Sequence, residues 1–214
     1  MEGTTLTSTL EELQALGMYT GMGDVYMAMI EKAESAKEPP TYGKPILIAE
    51  GVSFGITPEY AEGKKAASDR TVRQRRMPTG YTVKIASPRI KAAIRAYLLG
   101  HAVDSKGGEL LTDADAPYVA IGYAAHRDSG KSHMRWLYKV KFSEQTIEDK
   151  TAEDGTIEYR DTVLEGKAER RNDTVMIGGE RHRPLRYDAD LENATCTWTE
   201  ETFFASVPEY TPAA

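Results

Sequence analysis

The sequence predicts a mainly β protein: an antiparallel β-sandwich or barrel with one flanking α-helix, an N-terminal helical arm and a long loop. Three observations carry this reading. Met134, Trp136, Tyr138, Val140 and Phe142 alternate with Arg135, Leu137, Lys139 and Lys141, the period of two expected of a half-buried strand. Tyr81, Val83 and Ile85 alternate with Thr82 and Lys84 in the same way. No strand–helix–strand unit repeats along the chain, which disfavours a doubly wound parallel sheet.

Residues 1–22 read as an appendage to a domain spanning 23–214. Ser8 and Glu11 have capping-box spacing, Leu10, Leu13 and Leu16 follow at helical intervals, and Gly17 offers a stop. Such a short helix has too narrow an apolar stripe to stand alone and must dock. From Gly23 to Ile30 the run is ambiguous between strand and helix, and propensity favours helix after Ala28. Pro39 and Pro40 break the element. Tyr42–Ala49 then reads as extended, with Gly51–Ile56 continuing it.

Residues 57–80 are crowded with bases and poor in large apolar residues, and they contain Pro58, Gly63, Pro78 and Gly80. A long loop is expected there, and loops of that length are usually functional. Ser87 reads as the cap and Pro88 as the first residue of the one solid helix, closed by Gly100. Tyr118–Tyr123 is a strand, Ala124–Ser132 a hairpin loop, and strands are expected over Thr156–Leu164, Val175–Ile177 and Thr195–Phe204.

The chain has 214 residues, 40% hydrophobic and 28% charged, with a mean hydropathy of -0.50. These values exclude disordered, collagen-like and coiled-coil classes. No apolar run approaches the roughly 20 residues that cross a bilayer. The start, Met1-Glu2-Gly3-Thr4, lacks a basic region and an apolar region, so a cytosol-like compartment is expected. One cysteine, Cys196, allows no internal disulfide.

The net charge is -6, the wrong sign for general affinity to nucleic acid. Its distribution is uneven. Lys64, Lys65, Arg70, Arg73, Arg75 and Arg76 cluster against Asp69 alone, whereas Glu144, Glu148, Asp149, Glu153, Asp154, Glu158 and Asp161 dominate a later stretch. The basic stretch is expected to act as an interaction arm that meets the acidic stretch of a neighbouring copy.

Elements of active-site chemistry are weak. Ala125 to Ser132 loosely fits a phosphate-binding loop with Lys131 and Ser132 in the cation-binding places, but the pattern that follows is a strand, and that chemistry needs a helix N-terminus. His101, His126, His133 and His182 have no metal-ligand spacing. Asp113 with Asp115 and Asp188 with Asp190 read as solvated turns, and Cys196 as a small buried hydrophobe in a strand. No catalytic, cofactor or metal site is expected.

Pro117-Tyr118-Val119-Ala120-Ile121-Gly122-Tyr123, followed by Trp136-Leu137-Tyr138-Lys139-Val140-Lys141-Phe142, resembles the major tail protein (tail tube) family of long-tailed bacteriophages and prophages. Lys150-Thr151 and Leu164-Glu165-Gly166 follow in the family's order, and Val25-Tyr26-Met27-Ala28 with Thr41-Tyr42-Gly43 looks like its first strand pair. The last likeness replaces the helix after Ala28 by a strand. The match runs from about Gly23 to Arg170, and the basic stretch departs from the acidic character usual there.

The resemblance implies a structural virion protein without a cofactor or enzymatic activity. It would assemble in the bacterial host cytoplasm into hexameric rings that stack into the virion tail, together with tape-measure, terminator and baseplate proteins. DNA would pass through the lumen without specific binding. An inner-tube protein of a contractile injection machine would share the fold, and a nucleotide-binding enzyme is the remaining alternative.

Overall fold

The computed structural model describes residues 16–51, 53–67, 70–144 and 161–212. In chain order the strands are β1 (Tyr19–Lys32), β2 (Thr41–Tyr42), β3 (Ile46–Ala49), β4 (Ser53–Ala67), β5 (Arg70–Ser87), β6 (Ala102–Val103), β7 (Glu109–Leu110), β8 (Tyr118–Arg127), β9 (Ser132–Ser143), β10 (Thr162–Glu169), β11 (Val175–Ile177), β12 (Glu180–His182) and β13 (Arg186–Asp190). The helices are α1 (Ala92–Leu99) and α2 (Glu200–Ala205). The N-terminal helix expected around Ser8–Leu16 falls almost wholly outside the described residues, as does most of the strand expected over Thr156–Leu164.

A nine-stranded sheet runs β2-β1-β8-β9-β10-β5-β4, with β3 also on β1 and β13 also on β9. Every pairing is antiparallel, as the sequence predicts. The sheet does not close into a barrel. Among the described residues, β4 ends it on one side and the short β2 and β3 end it on the other.

Both faces of the central strands are covered, which explains why β8 is apolar almost throughout. On one face Val25, Met27, Val119 and Ile121 meet Val83, Ile85, Leu98 and Leu164. The sheet curls back so far that Phe54 of β4 stacks on Tyr123 of β8 at 4.0 Å between ring centres. On the other face Ala28, Ala120, Met134 and Trp136 pack under Phe203 and Phe204 of the C-terminal segment.

The strongest alternation in the sequence is interrupted in space. Val119 pairs with Val140 but Ile121 pairs with Leu137, a register shift that leaves one extra residue on β9. Met134 and Trp136 therefore join the cluster under Phe203, whereas Val140 and Phe142 join the opposite one with Leu137. One uniform pattern in sequence serves two cores.

Four further expectations are corrected. Residues 57–80 are not a long loop: β4 and β5 run through them as a continuous antiparallel pair from Ser53 opposite Ala86 to Ala67 opposite Arg70. Pro58 is accommodated because β4 is the edge strand. The chief helix begins at Ala92 rather than after Pro88, because Ser87 ends β5, is buried, and donates its hydroxyl to the Glu50 carbonyl at 2.8 Å. Gly100 closes that helix in the left-handed conformation, as predicted.

The strand expected over Thr195–Phe204 gives way to α2. Thr199 and Thr202 form a reciprocal capping box, and Glu200 and Glu201 favour the first turn. Cys196 lies in the irregular segment before it, partly buried against the Trp136 cluster. Asp188 and Asp190 are not in a turn but on β13, where they face Arg186 and Arg127 at 2.7 and 2.9 Å.

Candidate self-assembly surface

The body supports only part of the β4–β5 pair. β10 runs beside β5 from Thr162 opposite Ser87 to Glu169 opposite Gly80, and there it stops. Beyond Gly80, residues 60–67 and 70–78 have, among the described residues, only each other as ladder partners. This ribbon extends about 25 Å at the usual strand rise. A two-stranded ribbon is marginally stable alone in water. Its unpaired edges and both its faces therefore invite a partner.

All six expected basic residues lie on it: Lys64 and Lys65 on β4, and Arg70, Arg73, Arg75 and Arg76 on β5. The register sets Gly63 opposite Arg75 and Lys65 opposite Arg73. Near the base, Arg76 meets Glu62 at 3.3 Å and lies over the Tyr60 ring at 3.9 Å.

Of the expected acidic partners, Glu144 follows β9 and approaches His101 at 3.7 Å. Glu148, Asp149, Glu153 and Asp154 lie outside the described residues. The chain leaves the described fold after Glu144 and returns at Asp161, beside the end of the ladder where Ser87 faces Thr162 and Ser143 faces Glu165. Within one subunit Glu144 and the basic ribbon are thus not brought together. They stand at opposite ends of the β5–β10 ladder.

A groove of about 750 Å³ lies where the ribbon joins the body, lined by Ala61, Gly63, Met77, Lys167, Arg170 and Arg183 among others. Sequence reasoning missed this site. The run Arg181-His182-Arg183 and the doublet Arg170-Arg171 carry the signal as local concentrations of base.

The remaining candidates resolve into structural networks. The β8–β9 turn hinges on Gly130 with φ 73°, and Ser132 opens a strand, so a strand rather than a helix follows Lys131. Ser132 is buried between His126 Nδ1 at 3.0 Å and the Glu200 carboxylate. Arg127 makes a two-pronged contact with Asp190, 2.9 Å on each side, and also reaches Glu192 and Tyr19.

His133 Nδ1 receives Tyr19 Oη at 2.8 Å and an Arg135 guanidinium nitrogen at 2.9 Å. Arginine has no acceptor, so that ring nitrogen is unprotonated and the neutral imidazole is the folded form. Burial, with Arg135 adding to it, lowers the His133 pKa below 6.5, although Asp188 and Asp190 oppose this. The unfolded chain therefore binds more protons in that window, and the stability gained is complete above about pH 6.5 and lost as pH falls. Urea midpoints are expected to drop between about pH 7 and pH 5, and His133→Gln to flatten that slope.

No model of a known protein family and no curated protein matches the chain.

Proposed function

We propose that the protein is a tail tube subunit, a structural protein that assembles into stacked hexameric rings forming a conduit for DNA. One observation carries the reading: the β4–β5 ribbon, with its run of bases in sequence, extends from one end of the β5–β10 ladder, and Glu144 and Asp161, which bound the acidic stretch in sequence, lie at the other. Like copies with unlike ends associate head to tail, and such contacts propagate unless rotation closes them. The open sheet edges favour side-by-side association in a ring. Further support comes from the two resembling motifs, which form the adjacent central strands β8 and β9.

In this reading the subunit works without a cofactor or a reaction. Its partners are copies of itself and the other tail components, in the virion tail assembled in the host cytoplasm. A net charge of -6 suits a lumen that DNA must not adhere to. An inner tube of a contractile machine would use the same association.

Electron microscopy of the concentrated protein tests this, with rings or hollow tubes as the expected result and a strictly monomeric protein as the refuting one. Each exposed ion pair contributes only about 0.2–1 kcal/mol, so many copies act together. Replacing Arg73, Arg75 and Arg76 by glutamate is expected to shorten or abolish tubes and remove their salt sensitivity. Unchanged tube length would refute a role for the ribbon in stacking.

A further inference from the structure

We infer that the cleft between β13, the β11–β12 hairpin and the C-terminal segment binds a nucleoside phosphate. This goes beyond the tube reading and does not rest on it. The cleft, about 420 Å³, is separate from the groove at the root of the ribbon, although Pro78, Arg170 and Arg183 border both. Its size falls within the roughly 300–1,000 Å³ usual for small-molecule sites.

Backbone bonds assemble it from distant parts of the chain. The Arg171 amide donates to the Pro184 carbonyl at 2.9 Å, which brings Arg170 and Arg183 to one rim. The Tyr138 amide donates to the Leu185 carbonyl at 3.3 Å, so the buried Tyr138 ring forms part of the floor. Val175 and Ile177 from one face of β11, with His182 opposite Val175 on β12, make a wall.

The lining is unbalanced in charge. Arg170, His182, Arg183 and Arg186 meet a single acid, Asp188, which is already held by Arg186 at 2.7 Å and Arg135 at 3.4 Å. Acids close to the lining in sequence are engaged as well: Glu169 takes Tyr118, and Asp173 and Glu209 hold Arg171. Glu180 stands 3.9 Å from His182. The Arg170 guanidinium reaches only the Pro78 carbonyl, and Arg183 has no partner among the described residues. Two arginines thus border one cleft without a counter-ion. The hydroxyls of Tyr81, Tyr187 and Tyr210 also lack a partner among the described residues. Guanidinium forks with phenolic donors beside them fit the several oxygens of a phosphate.

The aromatic lining selects what carries that phosphate. Tyr81 lies under Arg186 at 5.2 Å, Tyr138 under Arg171 at 4.7 Å, and Tyr187 packs on Trp198 and Phe203. Tyr210 is exposed, and among the described residues no ring or cation packs on it. A free tyrosine face near unpaired arginines matches a planar base joined to a phosphate, because aromatic side chains hold nucleotide bases by stacking.

Calorimetric titration of the full-length chain with deoxyadenosine monophosphate in about 50 mM salt, where screening is weak, provides the test. Saturable binding is expected, at least about tenfold tighter than that of deoxyadenosine or of inorganic phosphate, each of which offers only part of the recognised chemistry. Arg183→Gln, at an exposed residue with no partner to lose, should weaken it about tenfold, and adding Arg170→Gln should weaken it further. Tyr210→Leu should bring the nucleotide and inorganic phosphate closer in affinity. Urea midpoints separate binding from folding, and Arg183→Gln alone carries the test where Arg170→Gln destabilises the chain. A single-stranded oligonucleotide with a terminal phosphate distinguishes the source. Affinity equal to the mononucleotide's assigns the site to strand ends, and binding of the mononucleotide alone assigns it to free nucleotides.

No saturable binding overturns the inference. So does equal affinity for inorganic phosphate, which would make the cleft a site for any small anion, or binding that the arginine variants leave unchanged. None of these readouts needs assembled protein, so the presence or absence of tubes bears only on the tube reading.

Discussion

Arg171→Ala is expected to lower the unfolding free energy by about 3–5 kcal/mol, the range for removing one partner of a buried ion pair. The Arg171 side chain is fully buried and holds Asp173 through two parallel bonds, Nε to Oδ1 at 2.8 Å and Nη2 to Oδ2 at 2.6 Å. Its third nitrogen reaches Glu209 at 2.6 Å, and its guanidinium lies over the Tyr138 ring at 4.7 Å. Burial works against the charge, but the bonds to Asp173 and Glu209 prevail and raise the pKa. Alanine would strand the Asp173 carboxylate where water hardly reaches it.

Arg171→Lys should recover little, because an ammonium cannot reproduce the planar fork. Asp173→Asn combined with Arg171→Met, which leaves only the partly exposed Glu209 carboxylate without its partner, should cost less than Arg171→Ala alone. Urea denaturation at constant pH measures all three. A loss below about 1 kcal/mol for Arg171→Ala would mean that the site admits solvent freely.

Trp136→Ala is expected to cost about 3–5 kcal/mol as well, by a different route. The indole is fully buried, packs against Phe204 at 5.9 Å between ring centres, and donates to the Phe203 carbonyl at 3.1 Å. It lies across Gly122, its direct cross-strand neighbour, where a Cβ would come within 2.7 Å of the ring. Gly122→Ala should therefore cost about 1–3 kcal/mol by overpacking. The two changes share one volume, so the double variant should lose less than the sum of the singles. Strict additivity in that cycle would show that the ring does not depend on the glycine for its seat.

Much of the architecture was legible because it follows from short-range pattern. Alternation in β5 and β9, the glycine that closes α1 and the turn at Gly130 all appear where local chemistry asks for them. What stayed hidden depends on distant neighbours. The register shift in β9 leaves no mark on composition, yet it decides which core receives Val140. Residues 60–78 looked like a loop because neither strand of the ribbon has a body-facing side to bury, so the apolar period is missing. A capping pair of threonines outweighed the strand pattern expected over Thr195–Phe204.

The candidate surface was half legible. Clustering of bases marked the ribbon, but nothing in the linear order set Arg183 beside Arg170 and Met77. That meeting requires β10 to end where β5 goes on alone, a matter of ladder length. Arg171 was equally silent, since its burial depends on Glu209 arriving from the C-terminal segment.

Because β5 outruns β10 at one end only, the subunit has a front and a back. Any filament grown by joining them inherits a direction, with its leading tip and its trailing tip chemically distinct. A stopper that recognises free ribbons would halt elongation at one tip and ignore the other, so length could be set from a single terminus.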